Sequence, residues 1–300
     1  MTLAAPISLI EAIEQVEHTL TDAEVFLGHG TDNPWDEAVF LVLGATGRPL
    51  HTDAESGADQ LTQDECQQID QWLLKRCVDR LPLPYIAGRV WFAGLEFICD
   101  QRALVPRSPI AQLIENQFSP WWREVASPKI LDLCCGGGSL GILSALAFPN
   151  ASVVLADIDT DALALARENV QLHNLADRVE LIESDVLSSI PDTLFDVIIC
   201  NPPYVDSTDM EALPIEYRHE PSQALASGSD GLDFTRLLLA QLPRVMHAST
   251  IVVLELGNSW EHFEALFPQT ALIWLEFEHG GWGVCVLTLD EVEELGRQLR

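Results

Sequence analysis

Ile130-Leu-Asp-Leu-Cys-Cys-Gly-Gly-Gly-Ser-Leu-Gly141 reads as a short apolar strand, a glycine turn and the start of a helix. Gly136, Gly138 and Gly141 spell G-x-G-x-x-G, so a dinucleotide-binding turn is one reading. Asp157, at the end of the next apolar run, fits an acid that holds a ribose hydroxyl in that reading and in others. Asp132 sharpens the choice. A carboxylate just before the glycine turn would repel a pyrophosphate. It suits a cofactor with positive charge, such as a sulfonium bearing an α-amino group, or else it caps the helix that follows.

Working outward, apolar runs alternate with helical patterns from Lys129 onward, the signature of an α/β fold built on a parallel sheet. Strands are expected near 130–134, 152–157, 179–183, 196–200, 251–256, 271–277 and 283–288. The last two are joined by His279-Gly280-Gly281 with no room for a helix, so they should run antiparallel. Asp185 closes the third strand, where its carboxylate could accept from an adenine amino group with Val186 packed on the ring. After the fourth strand comes Asn201-Pro-Pro-Tyr204. Neither proline has an N–H and each has a fixed φ. The tetrapeptide is therefore a stiff loop whose carbonyls, Asn side chain and aromatic face suit a planar, uncharged –NH2 group.

Upstream, the first 85 or so residues read as helical. Ser8-Leu-Ile-Glu11 and Thr62-Gln-Asp-Glu65 are capping boxes, each followed by apolar residues at helical spacing. A third, more apolar helix is expected over 33–45, and Pro82 and Pro84 end the unit. Val90-Trp-Phe and Leu95-Glu-Phe-Ile flank Ala93-Gly94 as a β-hairpin. A helix from Ser108 through Phe118, closed by Trp121 and Trp122, leads into the sheet.

Composition narrows the partners. Forty-six acids against 16 Lys plus Arg give a formal net charge of −30. Such a surface repels phosphate backbones and attracts a basic protein, although solubility or a saline cytosol would select the same charge. No basic segment followed by an apolar core opens the chain, and no apolar run approaches the ~18–20 residues that span a bilayer. The seven cysteines contain no C-x-x-C pair. A cytoplasmic, metal-free, monomeric protein is expected.

Asp132-x-x-x-Gly136-x-Gly138, Asp157, Asp185 and Asn201-Pro-Pro-Tyr204 each follow a successive strand at its carboxyl end, where open α/β sheets bind ligands. This series resembles the class I S-adenosylmethionine-dependent methyltransferases that act on a planar amino or amide nitrogen. Within them it is similar to the HemK-type glutamine methyltransferases. Pro82-Leu-Pro-Tyr85-Ile, Phe92-Ala-Gly-Leu-Glu-Phe97, Leu104-Val-Pro-Arg107 and Glu220-Pro…Leu225-Ala-Ser-Gly228…Asp230-Gly231-Leu232 carry the likeness. Pro106-Arg-Ser-Pro-Ile110, Leu213-Pro-Ile-Glu-Tyr-Arg-His-Glu-Pro221 and Trp274-Leu-Glu-Phe-Glu-His-Gly-Gly281 point to the branch that modifies large-subunit ribosomal protein L-three. The release-factor branch usually continues the Pro-Arg pair differently.

The resemblance implies a Rossmann-like seven-stranded sheet with an antiparallel last strand. It implies an N-terminal helical recognition domain over 1–86, a hairpin linker over 87–107 and a transferase domain over 108–300. It assigns S-adenosylmethionine to Asp132, Cys134, Gly136, Gly138, Asp157, Asp185 and Val186. Cys134 stands where many methyltransferases have Gly, and this branch commonly has Cys. Asn201 and the Pro202 carbonyl would accept the two amide hydrogens of a glutamine, Tyr204 would pack on the flat amide, and Pro203 would complete the substrate-binding loop. Arg107 would contact substrate or cofactor, or form an ion pair at the domain junction. Three rivals remain: release-factor methylation, an adenine-amino methyltransferase acting on nucleic acid, and a silent cofactor-binding scaffold. The charge of −30 and the lack of a basic stripe weigh against the nucleic-acid reading. Trp282 stands where a small or acidic residue is expected.

Overall fold

The computed structural model describes residues 2–299 apart from 53, 124 and 279. The chain begins with α1 (Leu9–Asp22), α2 (Pro34–Ala45), α3 (Gln63–Cys77) and α4 (Leu83–Ala87). Both expected capping boxes form. The Ser8 and Thr62 hydroxyls accept the N3 backbone N–H, and Glu11 and Glu65 accept from the cap N–H in return. Leu9, Ile13, Val16 and Leu20 of α1 bury one face against Leu41 and Val42 of α2 and Ile69 and Leu73 of α3, in a core of their own. Pro84 does not end this unit. It sits in the first turn of α4, where its missing N–H has no helical partner to lose.

The hairpin pairs β1 (Arg89–Phe92) with β2 (Leu95–Ile98). Ala93 and Gly94 take φ of 48° and 75°, the two-residue turn that matches strand twist. Its inward residues Val90 and Phe97 belong to the core of the large sheet, not to that of the helical unit. The helix expected from Ser108 is short. α5 spans only Ile110–Glu115, because Gln117 and Phe118 turn to positive φ and send Phe118 onto Phe148 and Trp122.

The sheet contains β3 (Lys129–Leu133), β4 (Ser152–Asp157), β5 (Val179–Glu183), β6 (Phe195–Cys200), β7 (Met246–Glu255) and β8 (Val284–Thr288). Their order is β5-β4-β3-β6-β7-β8, parallel except for β8, which runs antiparallel to β7. Successive residues bury on opposite faces, as a pleated strand covered on both sides requires. Ile130, Val197, Ile199 and Val253 pack into one core, and Leu131, Ile198, Cys200, Val252 and Leu254 into the other. Covering these faces are α6 (Ser139–Ala147), α7 (Thr160–Leu172), α9 (Asp233–Gln241), α10 (Trp260–Leu266) and α11 (Leu289–Gln298), while α8 (Ser207–Ala212) buries no residue and borders the cavity.

One expected strand does not form. Residues 271–277 make a single antiparallel bridge, Trp274 to Cys285, and one bond from Leu275 N to Val284 O at 2.9 Å. Trp274 is drawn to α10 instead. Its ring packs on Trp260 and Phe263, and its indole N–H donates to Glu264 Oε1 at 2.8 Å. The sheet thus has six strands among the described residues, and the expected join at His279 lies outside them.

Candidate active site

Chain order reverses between β3 and β6, and this switch point opens a crevice at the carboxyl ends of the strands. A cavity of about 590 Å³ lies there, lined by Asp132, Cys134, Gly136, Asp157, Arg107, Glu255, Trp282 and all of Asn201-Pro-Pro-Tyr204. That volume is in the range of pockets for small organic ligands.

The β3 turn forms the floor. Cys134, Gly136 and Gly138 take φ of 58°, 53° and 81°, so the backbone curls tightly into α6. A Cβ on Gly138 would lie 2.9 Å from Leu155, and one on Gly141 only 2.1 Å from it. These two glycines therefore let the turn close on β4. Asp132 is buried, and its Oδ2 accepts from Gly141 N at 2.7 Å, so it caps the first turn of α6 as well as lining the cavity. Burial pushes its carboxyl up to about 7, against the pull of that amide, and the nearby charge of Asp157 adds to the rise. Asp157 accepts from Gly136 N at 2.8 Å and Asp159 N at 3.0 Å, and burial also raises its carboxyl.

Asn201 and Pro202 leave the end of β6, the strand paired with β3, and line the same cavity. Pro202 is buried, yet its carbonyl accepts no hydrogen bond among the described residues. Such a group costs free energy unless a partner arrives. Tyr204 is held on three sides. Its hydroxyl donates to Glu255 Oε1 at 3.2 Å, Ser259 Oγ donates to its carbonyl at 2.6 Å, and its ring lies where any Cβ on Gly257 would be, 2.4 Å away.

Glu255 was not singled out in the sequence. It ends β7 as the only acid in Thr250-Ile-Val-Val-Leu-Glu-Leu256, and a lone carboxyl closing a buried apolar run was the available signal. Ser108 Oγ donates to its Oε2 at 2.5 Å, and the Asn201 side-chain amide lies close enough to favour its charged form. Burial nevertheless pushes this carboxyl up to about 7, against those donors and the Arg107 charge.

Arg107 is committed to the junction. Its guanidinium donates twice to Glu220, at 2.6 and 2.7 Å, and lies 5.2 Å over the Tyr217 ring. Burial would raise the Glu220 carboxyl, but His29, 3.5 Å away, and Arg107 overcome it and hold it at about 2. Two expected residues stand apart from the rest. Asp185 is exposed, Val186 is buried, and neither lines the cavity, because the order β5-β4-β3 places their strand at the sheet edge, away from the switch point. Gly138 shapes the turn without lining the cavity.

A family model described as "Methyltransferase small domain" matches residues 113–228. The ribosomal protein uL3 glutamine methyltransferase of Bordetella pertussis (strain Tohama I) is 42% identical over 95% of this chain and 96% of its own. That of Francisella tularensis subsp. tularensis is 41% identical over 91% of this chain and 87% of its own. The chain belongs to the ribosomal protein uL3 glutamine methyltransferases. Membership makes it a methyltransferase and places the transfer chemistry in the fold just described. A solved structure, the hMettl16 catalytic domain in complex with MAT2A 3'UTR hairpin 6, matches with a TM-score of 0.50. It is 17% identical, covers 75% of this chain and 81% of that one, and speaks for the fold alone. The six-stranded order with an antiparallel β8 is the family's α/β sheet in this chain.

Proposed function

We propose that this enzyme methylates the side-chain amide nitrogen of a glutamine in ribosomal protein uL3, with S-adenosylmethionine as donor. The observation that carries the reading is that Asn201 and Pro202, whose carbonyl has no partner among the described residues, line the same cavity as Asp132. The residues fit the donor. Asp132 is a buried carboxyl that has an amide partner but no cation, and Asp157 and the Gly136 backbone stand beside it. When bound, S-adenosylmethionine supplies a methyl group on a sulfonium. Asp132 would favour its positive charge, and Asp157 would accept from its ribose.

An amide nitrogen is a poor nucleophile because its lone pair is delocalised into the carbonyl. Asn201 Oδ1 and the Pro202 carbonyl accept its two hydrogens, which orients the lone pair toward the methyl group. Tyr204 borders the same space. Orientation and fixed dipoles, rather than a strong base, supply most of the acceleration. The methylated amide is strongly acidic and loses its proton afterwards.

Residues 1–86 would recognise the substrate protein, 87–107 link, and 108–300 carry out transfer. The net charge of −30 favours a basic ribosomal protein over nucleic acid; such a substrate fits a cytoplasmic enzyme, and we take it to act as a monomer. Methyl-labelled donor incubated with unmodified ribosomal proteins and release factors tests the assignment. Label on a uL3 glutamine is expected. Label only on a release factor would move the enzyme to the other branch and leave the chemistry intact. Asn201→Ala should lower turnover by about 10³-fold while cofactor affinity stays within a few-fold; near-normal turnover would remove the assigned chemistry.

A further inference from the structure

We propose that Glu255 is the positioning residue of this transfer: its carboxylate gathers the Asn201 side-chain amide, the Tyr204 hydroxyl and the Ser108 hydroxyl into one buried network that fixes which face of Asn201 meets the substrate. The inference rests on the functional reading above and adds a residue to it.

An Asn side chain is a donor at one end and an acceptor at the other. Methyl transfer to a glutamine amide needs the acceptor end in the cavity. Nothing in Asn201 itself makes that choice: the two prolines that follow fix the backbone beyond it, and its side chain belongs to no helix or strand. Glu255 makes it. An ionised carboxylate only accepts, so the Asn201 –NH2 must face Glu255 and Oδ1 must face the cavity. The same carboxylate accepts from Tyr204 at 3.2 Å and from Ser108 at 2.5 Å. It thereby ties the loop after β6 to the segment that precedes α5 and to the end of β7.

The protonated form does not impose this. Its hydroxyl is itself a donor that can turn to Ser108 Oγ, Tyr204 Oη or Asn201 Oδ1, with the Arg107 cation favouring the charged form against it. A bond to Oδ1 reverses the amide, so the Asn201 orientation is no longer imposed. Burial sets the midpoint near neutrality, so the network is complete above about pH 7 and loosens below it. A carboxyl that merely filled space at the end of a strand would need no such donors.

The test compares wild type with Glu255→Gln at saturating protein substrate and cofactor. Gln keeps the volume, but it neither titrates nor restricts itself to accepting. Turnover should fall roughly 100-fold, the cost of a misplaced reacting group, with KM and cofactor Kd within about threefold. The wild-type acid limb of kcat near pH 7 should vanish in the variant. Ser108→Ala removes one donor from the charged form and should move that limb upward in pH. Full activity in Glu255→Gln, an acid limb that survives it, or a limb unmoved by Ser108→Ala would each overturn the proposal. In free wild-type enzyme the side-chain ¹⁵N resonance of Asn201 should titrate with the same midpoint, and it should be flat in Glu255→Gln. That readout needs no substrate. If wild type transfers no methyl group to any glutamine, the functional reading falls while a non-titrating Asn201 resonance still decides this one.

Discussion

Two sets of buried carboxylates, one lining the cavity and one behind it at the junction, are held in opposite ways. At the junction with the helical unit, Glu220 is gripped by Arg107 and His29 and stays ionised down to about pH 2. Nearby, Glu216 is held down against the penalty of burial by the Phe26 amide that donates to it first of all, and then by the charges of Arg76 and Arg80. At the carboxyl ends of β3 and β7, Asp132 and Glu255 have only neutral hydrogen-bond donors in contact, and burial raises both to about 7. Paired charges make a junction rigid. Carboxyls without a cation in contact make a site receptive, because a cationic ligand or a correctly turned amide can still improve their surroundings.

The largest expected effect breaks the junction. Arg107→Ala leaves Glu220 buried beside His29 without its bidentate partner, a loss of about 3–5 kcal/mol of stability by denaturant titration at pH 7. Adding Glu220→Gln should recover part of it, since the uncompensated charge is then gone. A loss below about 1 kcal/mol would erase the distinction between the two sets.

Next comes the pH dependence of folding. Glu220 has a folded value below its unfolded one, so its contribution is complete above about pH 4.5 and is lost as pH falls through about 2. Glu255 has the opposite sign. Between about pH 4.5 and 7 the unfolded chain releases this proton while the folded chain keeps it, so stability falls as pH rises. Wild type should therefore lose about 3 kcal/mol relative to Glu255→Gln across that window and be level above it. A pH-independent difference between the two proteins would show that Glu255 is not held near neutrality.

A third, smaller effect concerns Asp132. If its charged form meets the cofactor's positive charge, Kd for S-adenosylmethionine should fall as pH rises toward 7, by up to roughly tenfold per pH unit. Calorimetric titrations in two buffers should show proton release on binding. Asp132→Asn should bind more weakly and flatten the dependence; an unchanged slope would leave Asp132 only its cap on Gly141.

Much of this was legible because it depends on local pattern. Capping boxes, the apolar runs of β3 and β6, the glycine turn and the Asn-Pro-Pro-Tyr loop all announce themselves within a few residues of chain. What escaped depends on distant contacts. Trp274 reads as the centre of a strand, and only the folded chain brings α10 to claim its ring. Asp185, read as a partner for an adenine amino group, stands exposed beyond the edge strand β5 and outside the cavity's lining, a placing that local pattern does not give. Glu255 and Ser108 are 147 positions apart and neither segment announces the other, so their meeting is a property of the fold and not of either segment.

Trp282 belongs to neither set of carboxylates and gives the smallest prediction. It is 64% exposed, yet it lines the cavity, and its indole N–H donates to Asn258 Oδ1 at 3.1 Å. The neighbouring glycines explain how it gets there. Gly281 lies where a Cβ would meet Pro109 at 2.8 Å, and Gly283 where one would meet the Gly257 backbone at 2.2 Å, so this stretch is pressed onto both walls. A large ring left exposed beside the site contributes little to the fold, and Trp282→Ala should change stability by less than about 0.5 kcal/mol. Aromatic side chains at such edges contribute to association with a partner instead. KM for the protein substrate should accordingly rise several-fold, about 1 kcal/mol, with kcat at saturation and cofactor Kd unchanged. A fall in kcat with KM constant would place Trp282 beside the reacting amide, inside the network of Glu255 and not at its edge.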